Sequence, residues 1–298
     1  MDLYSPKTIR QLKDKYGFRF SKGLGQNFLT DPSVPEAMVC GSGISGEDLV
    51  IEIGPGIGVL TRAAAAEAGR VVAIEIDRNL LPILDETLAD CSNVEVVFGD
   101  VLQTDLAALI REQKQAWNLT GSVHVIGNLP YYITTPILMR LLEEELPIQT
   151  ITTMMQKEVA DRIQAAPGSK AYGAISVAVQ YSCEVERIAD VPREAFIPSP
   201  KVDSAVLLLR MREKKAVETA DEADFFTCVR AGFGQRRKTL ANSLSGAGNL
   251  PKDVVRAILE AADIDEKRRA ETLTLEEFAR IANELTAWKS QKVTDETR

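Results

Sequence analysis

Hydrophobic and polar positions in the middle of this chain alternate in blocks rather than residue by residue. Short apolar-rich runs stand at 50–53, 70–77, 94–98 and 123–126, and the stretches between them carry apolar residues three and four apart. Runs of that length suit parallel strands buried on both faces, and the longer spacing predicts helices over 59–68, 79–89 and 106–113. The block order is that of a doubly wound α/β sheet.

The flanks read differently. Ile9, Leu12, Tyr16 and Phe20 are spaced by three and four, which predicts a short amphipathic helix within 5–20. A glycine-punctuated loop follows, and Asp31-Pro32 is a good helix start. Past the middle, Met154–Arg162 reads as a strand running into a helix, and Ile175–Tyr181 and Ala205–Met211 read as strands added late and antiparallel. From Glu213 the sequence turns charged and then helical, at 225–233, 238–243 and 253–261. Thr274-x-x-Glu277 is a capping box that opens a last helix to about Trp288. The expected division is an α/β domain over 1–212 and a small all-α domain over 213–298, with a polar tail after Lys289.

Composition adds exclusions. With 45% hydrophobic and 26% charged residues the chain fits neither a fibrous nor a disordered class. It shows no apolar run of spanning length and no secretory leader, so a cytoplasmic protein without membrane attachment is expected. Cys40, Cys91, Cys183 and Cys228 are scattered, which argues against a disulfide framework or a metal site. The only histidine, His124, lies within an apolar run with no partner constellation in the sequence, and reads as scaffold.

Net charge is −8, but it is unevenly spread. Residues 1–25 carry +4 and 225–252 carry +5 with no acid, so the rest of the chain holds −17. Phosphate contacts need local positive charge, not a positive total. Lys22, Arg236, Arg237 and Lys238 are therefore the candidate phosphate contacts, and solvated helix faces are the alternative.

Candidate chemistry sits at the ends of the apolar runs. Glu52-x-Gly54-x-Gly56-x-Gly58 closes the first with three alternating glycines, which let backbone approach a ligand. The dinucleotide fingerprint would want glycine where Val59 stands, and the acidic opening instead resembles the first motif of class I S-adenosylmethionine-dependent methyltransferases. Glu75 ends the second run, placed to accept two hydrogen bonds from a ribose diol. Asp100 follows the third, placed to accept from an adenine amino group. The fourth delivers Asn128-Leu129-Pro130-Tyr131. An adenine amino group is a poor nucleophile, and methyl transfer to it requires acceptors for the charge that develops on nitrogen. The Asn128 amide oxygen and a backbone carbonyl kept free of a strand partner by Pro130 fit that need. Tyr131 offers a face on which an extruded base can stack.

Taken with Gly25-Gln26-Asn27-Phe28-Leu29, Phe196-Ile197-Pro198-Ser199-Pro200-Lys201-Val202-Asp203-Ser204, Phe233–Leu240 and Arg269–Leu273, these motifs resemble the KsgA/RsmA family of small-subunit rRNA adenine N6,N6-dimethyltransferases over nearly the whole chain. One proline of the family's Phe-x-Pro-Pro-Pro-Lys-Val segment is replaced by Ser199. The resemblance implies a class I methyltransferase fold with a helical RNA-binding domain. It also implies that Asn27, Leu29, Gly54, Gly56, Glu75, Asp100 and Asn128 line an S-adenosylmethionine site, with the Phe28 loop closing over it. Tyr131 and Phe196 would sandwich the flipped adenine. The implied substrate is two adjacent adenosines near the 3′ end of 16S rRNA in an immature small subunit, and a monomeric enzyme is expected. A 23S rRNA adenine methyltransferase and a non-catalytic assembly factor are the alternatives. Protein-glutamine and DNA amino-methyltransferases carry a second proline where Leu129 stands.

Overall fold

The computed structural model describes the backbone of residues 1–21, 24–235, 237–247 and 250–296, and the side chains of these except 247 and 293–296. The elements run, in order, α1 (Pro6–Tyr16), β1 (Phe28–Leu29), α2 (Ser33–Ser42), β2 (Leu49–Ile53), α3 (Val59–Glu67), β3 (Arg70–Glu75), α4 (Leu81–Thr87), β4 (Val94–Phe98), α5 (Leu106–Ala116), β5 (Val123–Asn128), α6 (Thr134–Glu143), β6 (Ile148–Gln156), α7 (Lys157–Ile163) and α8 (Ala174–Ser182). The remainder are β7 (Cys183–Val191), β8 (Phe196–Ile197), β9 (Ser204–Met211), α9 (Glu222–Gly234), α10 (Leu240–Ala247), α11 (Lys252–Ala261) and α12 (Leu275–Glu296).

Seven strands form one mixed sheet in the order β4-β3-β2-β5-β6-β9-β7. The first five are parallel, and β9 runs antiparallel to β6 with Gln156 opposite Ser204. Every residue of β2 and β3 is buried, which is why both read as unbroken apolar runs. The chain steps outward from β2 to β3 and β4, then returns to β5 on the other side of β2. The strand order therefore reverses between β2 and β5, and open α/β sheets bind ligands beyond the carboxyl ends of strands at such a point. Gly127 lets the two strands close up there, since a Cβ on it would stand 2.7 Å from the Ile53 carbonyl oxygen.

The chain forms two compact units, 1–160 with 185–211, and 161–184 with 212–298. Residues 161–184 thus cluster with the C-terminal helices, not with the 1–212 segment that the sequence suggested. Aromatic packing accounts for this. The Tyr181 ring stacks on Phe225 at 4.3 Å and meets Phe226 edge-on, and Tyr172 meets Phe233 edge-on at 5.9 Å.

Residues 175–181, expected as a strand, belong to helix α8. A short apolar run cannot be assigned by periodicity when the element is buried on all sides, as here from Ile175 to Val179. The late strands are β7 and β9, and β7 hides its identity in charged residues at Glu184, Glu186 and Arg187. The Thr274–Glu277 capping box forms as expected, with Glu277 N–H donating to Thr274 Oγ1 (3.3 Å) and Thr274 N–H to Glu277 Oε2 (2.9 Å). Its helix continues past Trp288 to Glu296.

Candidate functional site

The ends of β2, β3 and β5, the residues just past β4 and the segment before β1 converge on a cleft of about 1010 Å³, counting its open mouth. Asn27, Leu29, Gly54, Gly56, Glu75, Asp100, Asn128 and Pro130 all line it, so sequence-predicted residues from five separate stretches meet in one place. Gly54, Gly56 and Gly58 take φ of +73°, +62° and +90°, a region that side chains with a Cβ rarely adopt. The tight turn they make leads directly into α3.

Glu75 is 4% exposed, and one carboxylate oxygen accepts the Asp77 N–H at 2.7 Å. Burial pushes its carboxyl up to about 7, although the Asp77, Gly56 and Ile76 amides pull it partway back. Glu52, also on the cleft wall, is 1% exposed and its Oε2 has no hydrogen-bond partner. Burial raises it to about 8, with the Glu75 charge contributing, so at neutral pH this wall holds at least one protonated acid. Glu52 is the acidic residue that opens the glycine motif in the sequence, and it shares the cleft wall with Glu75.

Asp100 is fixed by the loop it opens. Its Oδ1 accepts the Leu102 N–H at 2.9 Å and its Oδ2 accepts from Gln103 at 3.2 Å. Arg140 of α6 buttresses that loop, donating to the Val101 carbonyl and, at 2.8 Å, to the Thr104 carbonyl. Nothing in the sequence around Arg140 marked this role.

The segment before β1 is tied across the cleft. The Asn128 Nδ2 donates to the Asn27 carbonyl at 3.2 Å, and the Gln26 Nε2 donates to Asp77 Oδ2 at 2.7 Å. Below it, a Cβ on Gly56 would lie 3.4 Å from the Phe28 ring, so glycine there admits the aromatic.

At the end of β5 the Leu129 N–H bonds the Met154 carbonyl, and the Pro130 carbonyl accepts from Ile133 and Thr134. Leu129 is 1% exposed, and among the described residues its own carbonyl accepts no hydrogen bond. A buried carbonyl left unpaired costs free energy that an incoming N–H would return. Asn128 and Pro130, on either side of it, line the cleft, and Leu129 itself does not. Tyr131 is half-buried and does not line the cleft itself; its hydroxyl bonds Ser204 Oγ at 2.8 Å. The neighbouring Tyr132 does line it and is 56% exposed.

Phe196 departs from expectation. It is 3% exposed and lies in the hydrophobic cluster with Phe28 and Leu29, paired opposite Leu29 across the β1–β8 ladder. Its ring is core packing here, not an open stacking face, because the two-residue strand that carries it is anchored on β1.

His124 behaves as scaffold. It sits near the start of β5, away from the cleft, with Nδ1 at 2.7 Å from Thr150 Oγ1 and Nε2 at 3.5 Å from Asp48. Burial lowers its pKa, against the opposing pull of Asp48. Of the candidate RNA contacts, Arg237 and Lys238 are exposed between α9 and α10 and make no ion pair with a described residue. Lys22 and Arg236 lie outside the described residues. No group of three metal-ligating side chains occurs among the described residues, and no described helix is long and apolar enough to cross a membrane.

Comparison with known proteins gives a consistent set of likenesses. The family model described as ribosomal RNA adenine dimethylase matches residues 17–287. The ribosomal RNA small subunit methyltransferase A of Clostridioides difficile is 51% identical over 290 residues, covering 97% of this chain and 99% of the relative. Its namesake in Alkaliphilus metalliredigens is 52% identical over 286 residues, covering 96% and 98%. Among solved structures, a dimethyladenosine transferase from Plasmodium falciparum superposes with a TM-score of 0.71 over 89% of this chain and 98% of that one; at 24% identity the likeness is one of fold. The 23S rRNA methyltransferase ErmE superposes with a TM-score of 0.61 at 28% identity, over 87% of this chain and all of that one.

Proposed function

This chain belongs to the ribosomal RNA adenine dimethylase family, and we propose that it transfers methyl groups to the N6 amino groups of two adjacent adenosines in the 3′-terminal hairpin loop of 16S rRNA, acting as a cytoplasmic monomer on the immature small subunit. The methyl donor in this reading is S-adenosylmethionine, whose sulfonium, when bound, supplies an electrophilic methyl group. The cleft fits that molecule. Gly54 and Gly56, both at positive φ, bring backbone to the cleft wall, and in this reading Glu75 accepts from the ribose hydroxyls and Asp100 from the adenine amine. The uncommitted Glu52 Oε2 adds one more polar atom on the wall.

The single observation that carries the chemistry is the end of β5. There the Asn128 amide lines the cleft that holds the glycine loop and Glu75, and the Leu129 carbonyl, without a partner among the described residues, is the next acceptor along the chain. Two acceptors can grip the two N–H bonds of an adenine amine, draw the nitrogen out of conjugation and meet the positive charge that develops on it. No strong base is needed before attack. Asn128 already spends its Nδ2 on the Asn27 carbonyl, which turns its oxygen toward other partners. Single-stranded loops suit this enzyme because their bases leave the stack cheaply. The acid-free 225–252 stretch of the helical unit, with Arg237 and Lys238, is assigned to RNA phosphates on its local charge, and the sheet-bearing unit to methyl transfer.

The test is transfer of labelled methyl from S-adenosylmethionine to purified subunits from cells lacking the enzyme. Label at two adjacent adenosines of the 16S 3′ hairpin is expected. Label in 23S rRNA, the activity named for ErmE, would overturn the substrate assignment, and no label in either would overturn the catalytic one.

A further inference from the structure

We infer that Ser204 is a positioning residue for the stacking platform, holding Tyr131 so that its ring is presented to the target base before the base arrives. The inference rests on the reading that Tyr131 stacks on an extruded adenine.

Ser204 opens β9 opposite the last residue of β6 and is fully buried. Its Oγ lies 2.8 Å from the Tyr131 hydroxyl, a contact that joins segments 73 residues apart. Tyr131, in contrast, keeps part of its surface exposed. The side chain therefore has its polar tip tied to a buried partner while the residue as a whole stays only half-buried. A pair that only satisfied two core polar groups would bury both partners. Burial also keeps the phenol protonated, so the link is between neutral hydroxyls.

The geometry of such a tether is specific. The hydroxyl lies on the axis of the ring, so fixing it selects one χ1 well and leaves rotation about χ2 free. The platform's position is set, and its tilt remains for the base to choose. An untethered tyrosine spreads over up to three staggered χ1 wells, and only the fraction in the presenting well can receive the base. Loss of the link should then lower the rate about three- to tenfold. Because other contacts hold the subunit, the loss belongs in the internal docking of the base and not in overall affinity.

The experiment is a double-mutant cycle on single-turnover methyl transfer with saturating immature small subunits. Ser204→Ala and Tyr131→Phe are each expected to slow transfer about three- to tenfold, with unchanged affinity for cofactor and subunit. The double variant is expected to be no slower than either single one, since both remove the same link. A Ser204→Ala rate equal to that of the parent, or additive losses, would overturn the inference. So would a much larger loss in Tyr131→Phe than in Ser204→Ala, which would mean that the hydroxyl itself touches substrate. A parent protein that methylates neither subunit would instead defeat the functional reading beneath it.

Discussion

Replacing Glu75 with Gln should separate a stability effect from a binding effect that have opposite signs. Burial raises the Glu75 carboxyl from 4.5 to about 7 in the folded protein. A carboxyl raised on folding contributes stability that is intact below its unfolded pKa and is lost as pH rises through its folded pKa. The 2.5-unit gap corresponds to about 3 kcal/mol lost by pH 8 in the ligand-free protein. Glu75→Gln removes that loss, so the ligand-free variant should be the more stable protein at pH 8 and gain nothing at pH 4.5. Binding runs the other way. If the ionised carboxylate accepts both ribose hydroxyls, binding releases a proton and affinity climbs with pH. The ionised fraction rises from about 9% at pH 6 to about 76% at pH 7.5, which predicts about eightfold tighter binding of S-adenosylmethionine. Glu52, at about 8, stays mostly protonated across that window. Calorimetry in buffers of different ionisation enthalpy reads both the affinity and the released proton, and urea unfolding reads the stability. An affinity flat from pH 6 to 7.5, or a Glu75→Gln protein that binds the cofactor like the parent, would refute the reasoning.

Three other outcomes are expected. Asn128→Ala should slow single-turnover methyl transfer about 10²–10³-fold while changing subunit affinity little, because its oxygen acts on charge present only in the transition state; a rate within a few-fold of the parent at saturating substrate would remove it from that role. Reversing Arg237 and Lys238 to Glu should weaken subunit binding and flatten its salt dependence by about 0.7–0.9 in log–log slope per lost phosphate contact, with cofactor affinity unmoved. Gly127→Ala should destabilise the protein by about 1–3 kcal/mol in urea unfolding, since its Cβ meets the rigid Ile53 carbonyl and not the tip of a flexible side chain.

The βαβ core was legible because its physics is local. A strand buried on both faces must be an unbroken apolar run, and the residue that ends it must face the ligand edge of the sheet. Gly54, Glu75, Asp100 and Asn128 follow from those two rules, and the structure brings them to one cleft. What escaped depends on partners distant in sequence. Residues 175–181 have β-branched character at Ile175, Val177 and Val179, yet they coil because Tyr181 finds Phe225 and Phe226. The two-residue ladder of β1 with β8 is too short to leave a pattern, so the burial of Phe196 had no sequence signal. Arg140, Gln26 and Ser204 each make one or two hydrogen bonds to residues 36 or more positions away.

The excursion of residues 161–184 has a consequence for how this chain can be made and cut. The sheet-bearing unit uses chain on both sides of it, so synthesis delivers α8 before β7 and β9, and long before its own packing partners Phe225 and Phe226 exist. A nascent or truncated chain ending at residue 212 would carry the aromatic faces of Tyr172 and Tyr181 bare to water, a sticky surface of the kind that recruits holdases or nucleates aggregates. No single scission yields two intact halves; freeing the helical unit takes cuts at both of its entries, near 161 and 184, and a third near 211.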